Sequence, residues 1–269
     1  AGFDIQSKGA VKLTDMETYS NNGGSASGVI FTSGSVTMDA TGSNYNYFYY
    51  NAINGLSINA GGAISLKKTQ IYSNSGGYGL SILNGTTVSI TDSVFNSNGS
   101  YGLNVICSGA ITLTNSTAND NITYGVTLNN SSSATAGVTI SGTSSYDSYF
   151  TDNPTYNLSI STNGALKLSY LYVSGSPIAI NLPLVVKDVT INELYISVAG
   201  GGDPALDIVS SGSVTASHLE LHSNSGSGLV INNAGAPSGK PVTITDFADG
   251  STAGIYALWV VSKGVITLT

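Results

Sequence analysis

The sequence predicts an all-β fold, a solenoid of about ten stacked coils with three short parallel strands in each. Three observations carry this reading. A motif of apolar, polar and apolar residues recurs at near-constant spacing along the whole chain. The segments between recurrences alternate with the period of a strand, not of a helix. Asparagine and glycine recur where the alternation breaks, as tight turns require.

The motif is the first strand of each coil. It reads Val11-Lys12-Leu13, Val36-Thr37-Met38, Ile64-Ser65-Leu66, Val88-Ser89-Ile90 and Ile111-Thr112-Leu113 in the first half of the chain. It continues as Val138-Thr139-Ile140, Leu166-Lys167-Leu168, Val189-Thr190-Ile191, Val214-Thr215-Ala216, Val242-Thr243-Ile244 and Ile266-Thr267-Leu268. Measured between the second apolar residues, the steps run from 23 to 28 residues, within the range of solenoid repeats.

The second strand lies three and five positions after that anchor, as at Thr69 and Ile71, Ser93 and Phe95, or Leu194 and Ile196. Eight positions after it comes a turn asparagine: Asn21, Asn46, Asn74, Asn98, Asn121 or Asn224. Ser148, Ser176, Ala199 and Thr252 replace it elsewhere. Asparagine tolerates left-handed backbone and can ladder its amide from coil to coil. A glycine then opens the third strand, as in Gly79-Leu80-Ser81-Ile82 and Gly102-Leu103-Asn104-Val105.

One such coil cannot bury its apolar face alone. Stacking at about 4.8 Å per coil buries a continuous inner column and gives a rod on the order of 50 Å. Val11, Leu13, Leu66, Ile90, Phe95, Leu113, Leu168, Ile191, Leu221 and Ile244 are expected inside.

Composition narrows the function classes. The 269 residues carry 8 Lys+Arg against 15 Asp+Glu, and every basic residue is lysine. Nucleic acid as a partner is excluded, since no basic footprint exists. Charged residues are 9% of the chain, too few to dress helix surfaces. A hydrophobic fraction of 41%, spread evenly in pairs, argues against disorder. No apolar run approaches a membrane span. The opening Ala1-Gly2-Phe3-Asp4 lacks a basic and apolar leader, so a signal peptide is expected to be absent or already removed. The single Cys107 allows no internal disulfide and is expected to be a buried small residue. The neutral, hydroxyl-rich surface fits an extracellular or cell-surface location.

The phrases Gly109-Ala110-Ile111-Thr112-Leu113-Thr114-Asn115 and Tyr124-Gly125-Val126-Thr127-Leu128-Asn129-Asn130 resemble the right-handed parallel β-helix repeats of large bacterial cell-surface proteins. The resemblance covers essentially the whole chain. It implies a right-handed helix and a structural or adhesive role, as one domain over 1–269 with both ends inside a coil. Phe3 and Ile5 at one end and Ile266 and Leu268 at the other are then expected to meet a partner. That partner is a second copy stacked end to end into a fibre, or the flanking repeats of a longer chain.

Enzymes on this scaffold offer a test for catalysis. Pectate-lyase-like sites combine calcium-binding acids with a basic residue, commonly arginine. Polygalacturonase-like sites use an Asp-Asp pair, a Gly-His-Gly and an Arg-x-Lys. This sequence has no arginine, no adjacent Asp pair and no Gly-His-Gly. No catalysis and no cofactor are expected. The competing polysaccharide-cleaving reading rests on Glu193, His218, Glu220 and Asp246, which the register brings near one another. His218, Glu193 and Asp246 also invite a metal reading, but solvated cross-strand pairs explain them, and no metal is expected. Gly200-Gly201-Gly202-Asp203 occurs once and reads as a loop before Pro204.

Two surfaces remain. The outward ranks of the first strand, such as Thr112 with Thr114 and Thr243 with Thr245, resemble ice-binding solenoids, but Lys12, Lys67 and Lys167 interrupt them. The 16 tyrosines are the stronger signal. Tyr78, Tyr101 and Tyr124 precede the third-strand glycine in successive coils, Tyr172 and Tyr195 are outward neighbours, and Tyr170 sits at the adjoining turn. Tyr45, Tyr47, Tyr49 and Tyr50 fall in one loop insertion, and Tyr146, Tyr149 and Tyr156 in another. Tyrosine pairs an apolar ring with a polar tip, so these groups are candidate seats for a glycan partner or for stiffening stacks.

Overall fold

The computed structural model describes residues 2–22, 26–144, 147–184, 186–198, 204–222, 226–250 and 256–269. They wind into a parallel β-solenoid with three sheets. The first sheet has twelve strands, starting at Val11–Thr14 and ending at Ile266–Leu268, with Ser148–Thr151 paired beside the main stack. The third sheet has eleven, from Phe3–Ser7 to Leu258–Ser262. Between them lies the second sheet, whose separate strands are Glu17–Tyr19, Asn46–Tyr49, Thr69–Tyr72 and Val94–Asn96.

The strand after each anchor follows the predicted register, Leu66 over Met38 and Ile90 over Leu66. In the later coils the first and second strands do not separate as the three-strand pattern implies. Leu166–Ser174, Val189–Ser197, Val214–His222 and Val242–Gly250 run through both sheets. One residue per strand turns the corner in left-handed conformation: Tyr170, Glu193, His218 and Asp246, with φ of 58°, 53°, 50° and 53°. A single such residue bends the chain and shifts the alternation by one, so that Leu171 and Leu194, three positions after Leu168 and Ile191, point inward again and pairing resumes immediately.

Every residue expected inside is buried except Leu13, which is half-buried and packs against the core. Beneath the second sheet one inward column carries Phe48, Ile71, Phe95, Phe150, Val173 and Ile196, each with no exposed surface. Cys107 is buried, with burial pushing its thiol pKa up.

The asparagine ladder forms, with two substitutions of position. Asn21 donates to Asn51 Oδ1 (3.0 Å), Asn51 to Asn74 (2.7 Å), Asn74 to Asn98 (2.9 Å), Asn98 to Asn121 (3.1 Å) and Asn121 to Asn153 (3.0 Å). The fixed eight-residue offset expects Asn46 and Ser148 at these rungs. Both coils hold five extra residues before the second strand, so Asn46 and Ser148 begin that strand and Asn51 and Asn153 take the turn. Asn157 then accepts from Asn153 Nδ2 at 2.7 Å, and Ser176 caps the run by donating to the Asn153 carbonyl. Asn224, Ala199 and Thr252 lie outside the described residues, as do Tyr146 and Gly200-Gly201-Gly202-Asp203. The ladder also explains the third-strand glycine: a Cβ on Gly102 would stand 2.6 Å from the Phe95 carbonyl and 2.7 Å from Asn121 Nδ2.

Candidate functional site

The outward face of the second sheet and its extensions carries two columns of side chains. In one, Glu17, Tyr47 and Gln70 succeed one another, and further along the rod Tyr149, Tyr172, Tyr195 and Glu220 do. In the other, Tyr19, Tyr49, Tyr72 and Asn96 stand in register, and Ser197 is followed by His222. Two regions of this face are aromatic, and they differ in geometry.

The first region spans the first three coils. Tyr19, Tyr49 and Tyr72 stack with centroid separations of 5.5 and 5.2 Å and interplanar angles of 16° and 9°. Tyr47 stands at 83° to Tyr49, and Tyr50 at 71° to Tyr49 and 78° to Tyr72. Tyr45 leans on Tyr47 at 6.1 Å. Tyr50 occupies the left-handed turn position (φ 53°) and is 59% exposed. Glu17 accepts from the Tyr49 hydroxyl at 2.8 Å, which pushes the Tyr49 pKa up to about 12. The outcome is a stack of three rings flanked by two rings turned nearly perpendicular to it.

The second region spans Tyr149, Tyr172, Tyr195 and His222. Tyr172 and Tyr195 are 4.7 Å apart at 4°, and His222 continues the stack at 5.1 Å. Tyr195 thus has near-parallel rings on both sides, while Tyr149 meets Tyr172 at 5.7 Å and 45°. On the third sheet, Tyr78, Tyr101, Tyr124 and Tyr156 form a ladder with spacings of 4.8, 4.5 and 5.4 Å. The sequence groups Tyr149 and Tyr156 with a loop insertion. The structure instead places Tyr149 on the strand Ser148–Thr151 and Tyr156 at the head of Tyr156–Ser161. It likewise places Tyr47 and Tyr49 on the strand Asn46–Tyr49, with Tyr45 just before it and Tyr50 at the turn. Tyr19 and Tyr72 join this cluster although the sequence reading does not single them out; their period-two positions beside Tyr49 are the signal that locates them.

The quartet considered for cleavage is brought together. Glu193, His218, Glu220 and Asp246 line one shallow groove with Leu219 and Ala248. His218 Nδ1 lies 3.7 Å from Glu193 and its Nε2 3.4 Å from Asp246, while His222 Nε2 lies 2.5 Å from Glu220. The His218 and Asp246 side chains are 53% and 73% exposed, so water screens this arrangement strongly. Among the described residues, no three such groups converge as a metal shell requires. Tyr170 shares this bend column, directly below Glu193.

The end residues are placed as follows. Phe3 and Ile5 pair with Gly28 and Ile30 and are half-buried, whereas Ile266 and Leu268 pair with Val242 and Ile244 and are exposed. No helix among the described residues is long and apolar enough to cross a membrane.

A family model described as "Right handed beta helix region" matches residues 54–203. No curated protein matches the chain. A solved structure, the pectate lyase Pel9A, superposes with a TM-score of 0.57 over 95% of this chain and 70% of the other, at 13% identity. At that identity the likeness is one of fold.

Proposed function

The chain belongs to the right-handed β-helix family, and we propose that it serves as an extracellular or cell-surface adhesive module that holds a glycan without cleaving it. The observation that carries this reading is the turned pair Tyr47 and Tyr50 beside the Tyr19–Tyr49–Tyr72 stack. A sugar ring packs its C–H face on an aromatic face, and a ring that is not covered by a neighbour has one to offer. Glu17, beside the stack, adds a carboxylate acceptor for sugar hydroxyls.

Titration calorimetry against a panel of soluble polysaccharides tests the reading. Binding to one or more glycans is expected, weakened about tenfold by Tyr50→Ala, the loss of one well-placed aromatic contact. Absence of binding across the panel overturns it. A second reading, cleavage, is favoured by the groove of Glu193, His218, Glu220 and Asp246. Release of oligosaccharides from the same panel, abolished by Glu220→Ala, would replace the adhesive reading with that one.

A further inference from the structure

Resting on the glycan reading above, we propose that the ligand of the tyrosine cluster is a neutral glycan that runs along the rod, with Asn96 and Asn119 as its hydrogen-bond donors.

The first support is the fate of two amides. Asn96 follows Tyr72 in register in the same outward column, and Asn119 follows Asn96. Asn96 Oδ1 accepts the Asn119 backbone N–H at 2.9 Å, and Asn119 Oδ1 accepts that of Thr151 at 3.0 Å. Each amide of these half-buried residues is therefore pinned through its oxygen, which leaves its NH₂ group to donate to a ligand. A pinned donor loses little entropy on binding. The face thus presents the turned Tyr47 and Tyr50 beside the stack and then, further along the rod, two fixed donors spaced at about 4.8 Å per coil. A sugar chain matches that order with apolar ring faces and then hydroxyl oxygens.

The second support is charge. Glu17 lies on this face, Asp15 and Asp92 at the bend on one side of it, and Asp120 and Asp152 at the bend on the other. The cations are elsewhere. Lys12, Lys67 and Lys167 stand on the first sheet, and Lys8, Lys187, Lys240 and Lys263 follow third-sheet strands. Lys68 alone flanks the face, and its ammonium is held by the Gly42 carbonyl. A polyuronate or sulfated chain would meet these five carboxylates against the one ammonium of Lys68, so repulsion prevails. A neutral chain meets none of that repulsion.

The experiment measures binding to neutral β-glucan, mannan, xylan and galactan, each beside its carboxymethylated form, which puts charge on the same backbone; the salt dependence separates the charge from the added bulk. For whichever neutral glycan binds, the carboxymethylated partner should bind at least about tenfold more weakly at low ionic strength, and the gap should narrow in about 0.5 M salt. Asn119→Asp retains the acceptor for Thr151 but removes the donor, and it should weaken the neutral ligand about tenfold with the unfolding midpoint little changed. Asn104→Asp, on the third sheet, adds the same charge elsewhere and should leave affinity within about twofold. Equal or tighter binding of the charged partner overturns the neutral assignment. Unchanged affinity in Asn119→Asp overturns the donor role. In both cases a Tyr50→Ala effect would leave the glycan site itself standing. Failure of every neutral and charged form to bind removes the glycan reading and this inference with it.

Discussion

Tyr47 and Tyr172 occupy the same outward column of the same face, yet one ring is turned and the other lies in a stack. Their neighbours along the rod account for the difference. Tyr47 stands between Glu17 and Gln70, neither of which offers an aromatic ring, and it meets Tyr49 edge-on. Tyr172 stands between Tyr149 and Tyr195, and rings spaced by the coil repeat fall naturally into offset stacking. A tyrosine ladder therefore stiffens the rod and consumes its own binding surface. A tyrosine with unlike neighbours keeps a face for a ligand. The five extra residues before Asn46 sharpen this contrast by adding Tyr45, while Tyr50 enters from the turn.

The largest expected effect comes from removing what the turned cluster rests on. Phe48 is fully buried directly between Tyr47 and Tyr49, and Phe150 lies in the same inward column beside Tyr149. Phe48→Ala should cost about 3–5 kcal/mol in urea unfolding, and Phe150→Ala a similar amount. The first should also abolish glycan binding while the second spares it. Loss of binding from both variants would erase the distinction between the two regions.

Next in size are the turns. Asn74 Nδ2 donates to Phe48 O, Tyr72 O and Asn98 Oδ1, and its own Oδ1 receives Asn51. Asn74→Ala strands several buried partners and should cost about 2–3 kcal/mol. Ser176, at the far end of the run, makes one such bond and should cost about 1 kcal/mol on truncation to alanine. Equal costs would show that the ladder does not act as a unit.

The neighbour rule can be tested directly by exchange. Gln70→Tyr gives Tyr47 an aromatic partner in its own column, and the rings should stack. Glycan affinity should fall about tenfold with stability unchanged or slightly raised, by about 0.5–1.5 kcal/mol. A variant that stacks Tyr47 and yet binds normally would show that the turned ring is not the receiving surface.

The smallest effect is electrostatic. Glu17 raises the Tyr49 pKa from the usual 10.0 to about 12. The folded value lies above the unfolded one, so the contribution of this bond is fully present below pH 10.0 and is lost as pH rises through about 12. Ultraviolet titration should show the Tyr49 phenol ionising near pH 12, and Glu17→Gln should lower its midpoint. An unaltered titration curve in that variant would mean the bond is not held in solution.

Much of this molecule is readable from its residues because a solenoid writes its geometry locally. Period-two alternation and the step of 23 to 28 residues determine the coils, the inward columns and the order of the three sheets, since each strand pairs only with the equivalent strands of adjacent coils. The Tyr78–Tyr101–Tyr124 and Tyr172–Tyr195 stacks follow from that register alone. The sequence also locates the groove quartet, because Glu193, His218 and Asp246 occupy one bend column. Fixed offsets fail where a coil carries extra residues. Nothing local says whether those residues bulge before the strand or after it, and only the stacked structure moves the ladder rungs from Asn46 to Asn51 and from Ser148 to Asn153. Ring orientation is likewise beyond the sequence. It depends on whether the residue one coil away offers a face to stack on, and that packing decision separates Tyr47 and Tyr50 from every laddered tyrosine on the rod.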